Sequence, residues 1–313
     1  MTLHNFPDEF NDLAALTADY KGIPVSAAKR DYFIVFMLQK LSKSVYSEKC
    51  VFKGGTSLSK GYPNSIMRFS EDIDLSFIPD SDSEKDNQIE SHLKRIEKTM
   101  SEGMALEKIA EERNKRNKSA RVWYGDLKDL SVKLEIGSSV RPDPYEPRRI
   151  CTYIQEYLES KGLFDEVKEF GLQRITVNTL CIERTFIDKV MSVKRHAICG
   201  SLERKVRHIY DVAKLFELKE IKDFLNNKAV LKDIVQKTKK TDSFYLKKRN
   251  VAKEYNPLQP YNFPAWIQYF NDDIRAKYET LHNDLLYTNE QQDFDKAIEA
   301  FRCIDNILSE IGE

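Results

Sequence analysis

The sequence has few of the residues that mark metal-binding or disulfide-linked proteins. Its 313 residues include only five cysteines and five histidines, and no two cysteines have C-x-x-C spacing. The histidines join no cluster of cysteines or carboxylates, so the pattern indicates neither a structural zinc site nor a disulfide framework. We therefore expect free thiols in a reducing compartment.

Long apolar segments are also missing. No apolar run approaches the roughly 20 residues that a membrane-spanning helix needs. The first 22 residues carry four acidic side chains and lack the apolar region of a secretory signal. Fifty basic and 50 acidic residues give a formal net charge of zero, which removes the simplest argument for nucleic-acid binding. We predict a cytoplasmic protein that does not bind membranes.

One stretch, residues 50–77, has the form of a nucleotide site. Near its start, Gly54 and Gly55 follow an apolar segment and precede Thr56 and Ser57, which are typical of the beginning of a helix. Free N–H groups at such a helix start attract phosphate. The G-x-x-x-x-G-K-[ST] spacing of a P-loop is missing, so we predict a phosphate-binding turn of another kind.

The end of the same stretch carries two closely spaced carboxylates. Asp72 and Asp74 alternate with Ile73, Leu75 and Phe77, so a strand would bury the apolar side chains and place both carboxylates on the opposite side. Neighbouring carboxylates repel each other, and a divalent cation relieves that repulsion. We predict that both aspartates bind Mg²⁺ or Mn²⁺, because such ions combine one or two carboxylates with phosphate oxygens.

Each feature alone has an ordinary explanation, since Gly-Gly is often a simple turn and Asp-x-Asp is often the solvated face of a strand. The combination of the two features favours a nucleotide site with a metal. Because the turn and the carboxylates lie on consecutive elements, triphosphate and metal would come within reach of each other, as nucleotidyl transfer requires.

Two segments, KGGTSLSK at 53–60 and RFSEDIDL at 68–75, resemble the AbiEii/AbiGii toxin branch of the nucleotidyltransferase superfamily. The resemblance implies an α+β fold: a polymerase-beta-like nucleotidyltransferase domain with a mixed sheet, followed by an all-helical C-terminal domain. It also implies a toxin of a bacterial toxin–antitoxin or abortive-infection (phage-defence) system that uses a nucleoside triphosphate, modifies the 3′ end of tRNA and has a cognate antitoxin. Within the two motifs, Lys60, Arg68 and Ser70 join the glycine turn as predicted nucleotide contacts.

A further carboxylate comes from a strand predicted at 130–136. Its apolar residues alternate with polar ones, which include Lys133 and Glu135. In polymerase-beta-like enzymes a third carboxylate on a neighbouring strand helps to bind metal and activates the attacking hydroxyl, and SVKLEIG resembles that strand. Glu135 is the candidate for this catalytic and metal-binding role. Alternatively, Glu135 forms a surface pair with Lys133.

The pattern becomes almost entirely helical after residue 180, so we predict a nucleotidyltransferase domain at 1–179 and a helical domain at 180–313. The resemblance assigns active-site roles to Lys189 and Asp211 on its first two helices. The lysine would bind triphosphate and offset charge on the leaving pyrophosphate, while the aspartate holds the lysine in place. Alternatively, the two residues form a salt bridge between helices. The sequence departs from the family at His208, where an aspartate is common.

Several local structures are predicted as well. We expect helices at 6–20, 24–41 and 89–116, and a β-hairpin whose strands lie at 121–124 and 130–136. Residues 141–149 contain three prolines and should be irregular, residues 167–170 should be extended, and a helix should break at 241–242.

The acceptor is predicted to be an RNA 3′ hydroxyl, with a protein hydroxyl as an open alternative. Two basic stretches, 189–208 and 237–253, would support RNA binding, with Lys237, Lys239 and Lys240 as candidate contacts. Alternatively, each cluster is only the solvated face of a helix. A rival hypothesis is a nucleotide-binding protein that regulates or recruits a partner and transfers nothing.

Overall fold

The computed structural model describes residues 1–81, 83–139, 141–246, 254–283, 286–287 and 290–313, with only the backbone described at 244–246. The chain divides into two compact units. Unit 1 contains Met1–Pro63 and Phe69–Leu180, and unit 2 contains Asn64–Arg68 and Cys181–Glu313. A short segment from the first half of the chain thus belongs with the C-terminal helices, which no local sequence pattern indicates.

Unit 1 is built on a mixed sheet. Its strands are β1 (Cys50–Lys53), β2 (Asp72–Phe77), β3 (Ala105–Lys108), β4 (Asn117–Trp123), β5 (Val132–Gly137), β6 (Tyr145–Ile150) and β7 (Ile175–Leu180). Within the described ranges they form one seven-stranded sheet in the order β3-β4-β5-β2-β1-β7-β6. The pairs β2–β5 and β1–β7 are parallel, and the other pairs are antiparallel. The predicted mixed sheet and the hairpin of β4 and β5 are confirmed.

The helices of unit 1 are α1 (Pro7–Lys21), α2 (Val25–Ser42), α3 (Gly54–Gly61), α4 (Asp86–Met100), α5 (Tyr153–Ser160) and α6 (Phe164–Glu169). Helices α2 and α4 contact strands of the sheet. The predicted apolar set of β2, Ile73, Leu75 and Phe77, is at most 1% exposed. One side of the sheet therefore belongs to the core, and the alternate residues of β2 and β5 point to the other side.

Three local predictions for unit 1 are wrong. The helix predicted at 89–116 ends at Met100, and a turn containing Gly103 at φ +70° leads into β3, because a left-handed residue cannot continue a helix. The segment expected to be extended at 167–170 lies largely in α6. Much of the segment expected to be irregular, 141–149, lies in β6, which accommodates Pro147 because it is an edge strand of the sheet.

Unit 2 is helical, as predicted for the C-terminal domain. Its helices are α7 (Ile182–Ile198), α8 (Val206–Glu217), α9 (Lys219–Asn226), α10 (Lys228–Leu246), α11 (Asp272–Glu279) and α12 (Phe294–Glu310). The break predicted at 241–242 is wrong, since α10 continues through it. Among the described helices of the whole chain, none combines the length and the hydropathy needed to cross a membrane.

A buried ion pair ties α3 to its neighbours. The Lys60 ammonium donates to Oδ1 of Asp31 on α2 over 2.7 Å, and both side chains are only 2% exposed. The backbone N–H of Tyr153 donates to Oδ2 of the same aspartate over 2.6 Å, and the ammonium lies 3.9 Å from the centroid of the Tyr153 ring. This geometry does not support the predicted nucleotide contact of Lys60, because its charge is already neutralised inside unit 1.

Removing one partner of this pair is expected to destabilise the fold strongly. Lys60→Met leaves a buried carboxylate without its cation and should lower the free energy of unfolding by about 3–5 kcal/mol in a denaturant titration. The double variant Lys60→Met/Asp31→Leu should recover most of that loss. Burial raises the pKa of Asp31, so the carboxyl of Lys60→Met should take up a proton as the pH falls, and the loss should shrink.

The control for this experiment is the exposed pair of Lys49 and Asp80, where Lys49→Met should have a much smaller effect. A Lys60→Met protein as stable as the wild type would show that the buried pair contributes no net stability.

Candidate active site

The first part of the site lies where β1, α3 and β2 meet. The antiparallel pairing of β1 and β2 places Lys53 opposite Asp74, and α3 starts at the next residue, Gly54. Gly54 has φ +83°, and a Cβ atom at this position would lie 2.3 Å from Oδ2 of Asp74. Only glycine adopts this positive φ without strain and has no Cβ atom that would collide with Asp74. The Asp74 carboxylate therefore lies directly against the beginning of α3.

The first turn of α3 has N–H groups that an anion could bind. Lys53 is the N-cap residue, and its side chain forms no capping hydrogen bond. The first N–H groups of a helix have no acceptor within the helix, and the helix dipole favours negative charge beside them. Gly54 and Gly55 are only half-buried. This turn thus has the features of a phosphate-binding helix start.

The hydroxyl groups of Thr56 and Ser57 form hydrogen bonds within the protein. The buried Thr56 hydroxyl donates to the backbone carbonyl of Asp72 and lies 3.0 Å from the Ser70 hydroxyl. The buried Ser57 hydroxyl donates to the carbonyl of Gly54 over 2.9 Å. These bonds hold α3 against the start of β2. The predicted nucleotide contacts of Thr56 and Ser57 would therefore use backbone N–H groups, and the Ser70 hydroxyl is already engaged with Thr56.

The carboxylates come from two adjacent parallel strands. The register of β2 and β5 places Asp74 opposite Glu135 and Asp72 opposite Lys133, so all four side chains belong to the same side of the sheet. Asp74 is half-buried, and within the described part of the chain its side chain forms no hydrogen bond or ion pair. The structure therefore brings Asp74 and Glu135 into neighbouring positions, which the sequence could only suggest.

Lys133 modifies the charge of this surface. Its ammonium lies 2.7 Å from Oε2 of Glu112 and 3.5 Å from Oε2 of Glu135. Burial acts to lower the pKa of Lys133, but the carboxylates of Glu112, Glu135 and Asp72 outweigh it, and the pKa is raised. The lysine therefore stays protonated and reduces the repulsion between carboxylates. The ion pair between Glu135 and Lys133, one of the two alternatives that the sequence offers for Glu135, is present with an N–O distance of 3.5 Å.

The three predicted metal ligands do not converge in the structure, and their metal-binding role stays a prediction. Among the residues with described positions, no group of three or more His, Cys, Asp or Glu side chains converges in a way that could hold a metal. Asp72, Asp74 and Glu135 are aligned along two strands and do not form a closed cluster. Asp74 and Glu135 still fit Mg²⁺, because this ion commonly takes one or two carboxylates and completes its coordination with substrate phosphates and water.

A second group of predicted residues meets inside unit 2. The Lys189 ammonium on α7 donates to Oδ2 of Asp211 on α8 over 2.8 Å. Arg68 donates to the same carboxylate twice, from Nε to Oδ1 over 2.6 Å and from Nη2 to Oδ2 over 2.8 Å. All three side chains are at most 5% exposed. The expected contact between Lys189 and Asp211 is present, and both explanations offered for it remain compatible with the geometry.

The two cations determine the charge of Asp211. Burial acts to raise its pKa, but Arg68 and Lys189 outweigh burial and lower the pKa to about 2, from an ordinary value of 3.8. A carboxyl with a lowered pKa stabilises the fold above its ordinary pKa. This stabilisation should be complete above pH 3.8 and should be lost as the pH falls toward 2.

The structure shows the surroundings of the Arg68 and His208 side chains, which the sequence could not indicate. Arg68 was predicted to contact nucleotide, but its guanidinium is engaged with a residue 143 positions away, which no local motif could indicate. The Nδ1 atom of His208 is buried without a hydrogen-bond partner in the described residues. Burial, together with Lys189, Lys205 and Arg68, lowers the pKa of His208 well below 6.5, so the imidazole is neutral at pH 7.

Part of the predicted RNA-binding surface is buried in the described residues. Lys239 is buried and pairs with Glu313 over 2.6 Å. Lys237 pairs with Asp233 over 2.9 Å, but its side chain is 40% exposed, and Lys240 is exposed as well. Residues 247–253 of that basic stretch lie outside the described residues. In the other stretch Lys194 is buried, and burial, with a contribution from Lys239, lowers its pKa to about 8. The exposed cations there include Arg204 and Arg207.

Two solved structures illustrate the likeness to known proteins. The MenT4 nucleotidyltransferase toxin from Mycobacterium tuberculosis is 18% identical, with a TM-score of 0.48 over 95% of this chain and 98% of that chain. JHP933 from Helicobacter pylori is also 18% identical, with a TM-score of 0.39 over 82% of this chain and 94% of that chain. No curated protein matches the sequence.

The family-level match covers both units. The model of the nucleotidyl transferase AbiEii toxin family, of type IV toxin–antitoxin systems, matches residues 36–300. This range contains the glycine turn, the carboxylates of β2 and β5, and the buried cluster of unit 2. The protein therefore belongs to the AbiEii family of nucleotidyltransferase toxins.

Proposed function

We propose that this nucleotidyltransferase transfers a nucleoside monophosphate from a nucleoside triphosphate to the 3′ hydroxyl of an RNA, with tRNA as the acceptor and Mg²⁺ as the metal. The observation that carries the proposal is the position of Asp74, which lies against the first turn of α3 and opposite Glu135. A phosphate-binding turn beside two carboxylates from adjacent strands supplies the parts that metal-assisted nucleotidyl transfer needs.

Several residues of unit 1 would each have a separate role in the transfer. The N–H groups of Gly54 and Gly55 would bind triphosphate oxygens, and Asp74 and Glu135 would hold Mg²⁺, with Asp72 at the edge of the site. When bound, Mg²⁺ would supply charge stabilisation to the reacting phosphate. Glu135 would accept the proton of the acceptor hydroxyl, whose oxygen attacks the α-phosphorus as the bond from that phosphorus to the bridging oxygen of pyrophosphate breaks.

For unit 2 we propose the role that the family resemblance implies. The Lys189 ammonium would offset the charge that develops on the leaving pyrophosphate, and Asp211 would hold that ammonium in place. A positive charge directed at the place where negative charge develops lowers the activation barrier. The family also implies an antitoxin that opposes this activity in the cell.

The proposal is tested by incubating the protein with α-labelled nucleoside triphosphates and either purified tRNA, total RNA or lysate protein. Label should enter tRNA in the presence of Mg²⁺, should be lost with a chelator and should return with Mg²⁺ or Mn²⁺. Label on protein alone would make a protein hydroxyl the acceptor. If the protein binds nucleotide but no labelled product forms, the proposed transfer activity is wrong.

The exposed arginines before and at the start of α8 offer a test of RNA binding. Changing Arg204 and Arg207 together to alanine should weaken tRNA association and flatten its dependence on salt, because phosphate contacts release counterions. The log–log salt slope should become less steep by about 0.7 for each phosphate contact removed. Lys94→Ala, at a lysine of α4 that pairs with Glu90 and lies outside both basic stretches, is the control and should leave the slope unchanged. An unchanged slope in the arginine variant would place the RNA-binding surface elsewhere.

A further inference from the structure

We propose that Arg68 is a positioning residue, which acts on the transfer reaction only through Asp211 and Lys189. This inference rests on the proposed role of Lys189 at the pyrophosphate. It replaces the direct nucleotide contact that the RFSEDIDL motif suggests for Arg68.

The geometry of the cluster carries the inference. Arg68 contacts both oxygens of Asp211, through Nε at 2.6 Å and Nη2 at 2.8 Å, and Lys189 uses one of the same oxygens at 2.8 Å. A planar guanidinium bound at two points fixes the plane of a carboxylate, whereas a single ammonium does not. Arg68 therefore determines where Oδ2 lies, and Oδ2 determines where the Lys189 ammonium lies.

The backbone around Arg68 is held as well. Arg68 forms an isolated antiparallel bridge with Leu286, and the carbonyl of Met67 accepts the N–H of Tyr287 over 3.1 Å. Met67 has φ +44°, an unusual conformation for a residue with a side chain. The segment is thus fixed in a conformation that directs the Arg68 side chain into unit 2, where it is 4% exposed.

The two possible roles of Arg68 differ in a measurable way. A residue that binds nucleotide directly contributes its own interaction, so its loss adds to the loss of Lys189. A residue that acts through Lys189 has nothing left to position once the ammonium is removed. Residues that act as one unit show such non-additive effects, and a double-mutant cycle measures them.

The experiment compares single-turnover transfer rates of the wild type, Arg68→Lys, Lys189→Met and the double variant, each with its triphosphate KM and its melting temperature. Arg68→Lys keeps the charge and loses the two-point contact, and we expect its rate to fall by roughly 10–100-fold with little change in KM. In the Lys189→Met background the same substitution should change the rate by less than about twofold. Arg68→Gln provides a second cycle if Arg68→Lys does not fold.

Arg113→Lys is the matched control, because the Arg113 guanidinium also binds a carboxylate at two points, from Nη1 to Oε1 and from Nη2 to Oε2 of Glu97 on α4. Its transfer rate should equal that of the wild type. Additive losses in the cycle, or a raised KM as the main effect of Arg68→Lys, would overturn the positioning role while leaving the proposed function intact. A wild-type rate in Lys189→Met would instead reject the proposed role of Lys189, and the positioning role with it.

Discussion

Replacing Asp74 with asparagine is expected to abolish nucleotidyl transfer without weakening the fold. The Asp74 side chain forms no ion pair or hydrogen bond among the described residues, and it lies opposite a second carboxylate, Glu135. Its negative charge is favoured by the dipole of α3 but is repelled by Glu135, and these two effects oppose each other. Neutralising it should leave the melting temperature unchanged or slightly raised, as is common where a functional residue is strained.

The expected loss of activity is at least about a hundredfold, because a neutral amide in place of the proposed metal ligand would remove charge stabilisation from the reaction. Initial transfer rates at saturating Mg²⁺ and triphosphate measure it. Asp126→Asn, at an exposed position in the turn between β4 and β5, is the matched control and should retain full activity. If Asp74→Asn unfolds, or transfers at a rate near that of the wild type, Asp74 does not hold the metal.

Adding one methyl group at Gly54 is expected to inactivate the protein far more than it destabilises it. Both Gly54 and Gly22 have a positive φ, of +83° and +65°, so alanine at either position carries a backbone penalty of about 1–2 kcal/mol. The two positions differ in the space that is available for a side chain. A Cβ atom at Gly54 would lie 2.3 Å from Oδ2 of Asp74, whereas one at Gly22 meets no atom within 4 Å.

The Asp74 carboxylate can turn away from the new methyl group, so the added loss of stability should be small. Turning away, however, takes it out of the site, and the transfer rate of Gly54→Ala should fall about as far as that of Asp74→Asn. Gly22→Ala should show a similar loss of stability with full activity. The double variant Gly54→Ala/Asp74→Asn should be no slower than either single variant. Equal activity of the two glycine variants would mean that the contact between Gly54 and Asp74 has no role in transfer.

Some of this site was predictable from sequence because its causes are local. The helices α1 and α2, the glycine turn and the alternation of β2 follow from turn chemistry and hydrophobic periodicity, which neighbouring residues determine. The same reasoning failed for the end of α4, where one left-handed glycine decided the outcome. It also failed for β6, where pairing at a sheet edge accommodated Pro147.

Tertiary structure alone decided which polar side chains pair with other groups inside the protein. Periodicity shows that a face is polar, but it does not show what covers that face. Lys60 and Lys239 are cations in polar positions, yet each is buried against a carboxylate, Asp31 in one case and Glu313 in the other. Arg68 reaches Asp211 across 143 residues for the same reason. Asp74 and Glu135 become neighbours only through the register of two parallel strands, which depends on the packing of the whole sheet.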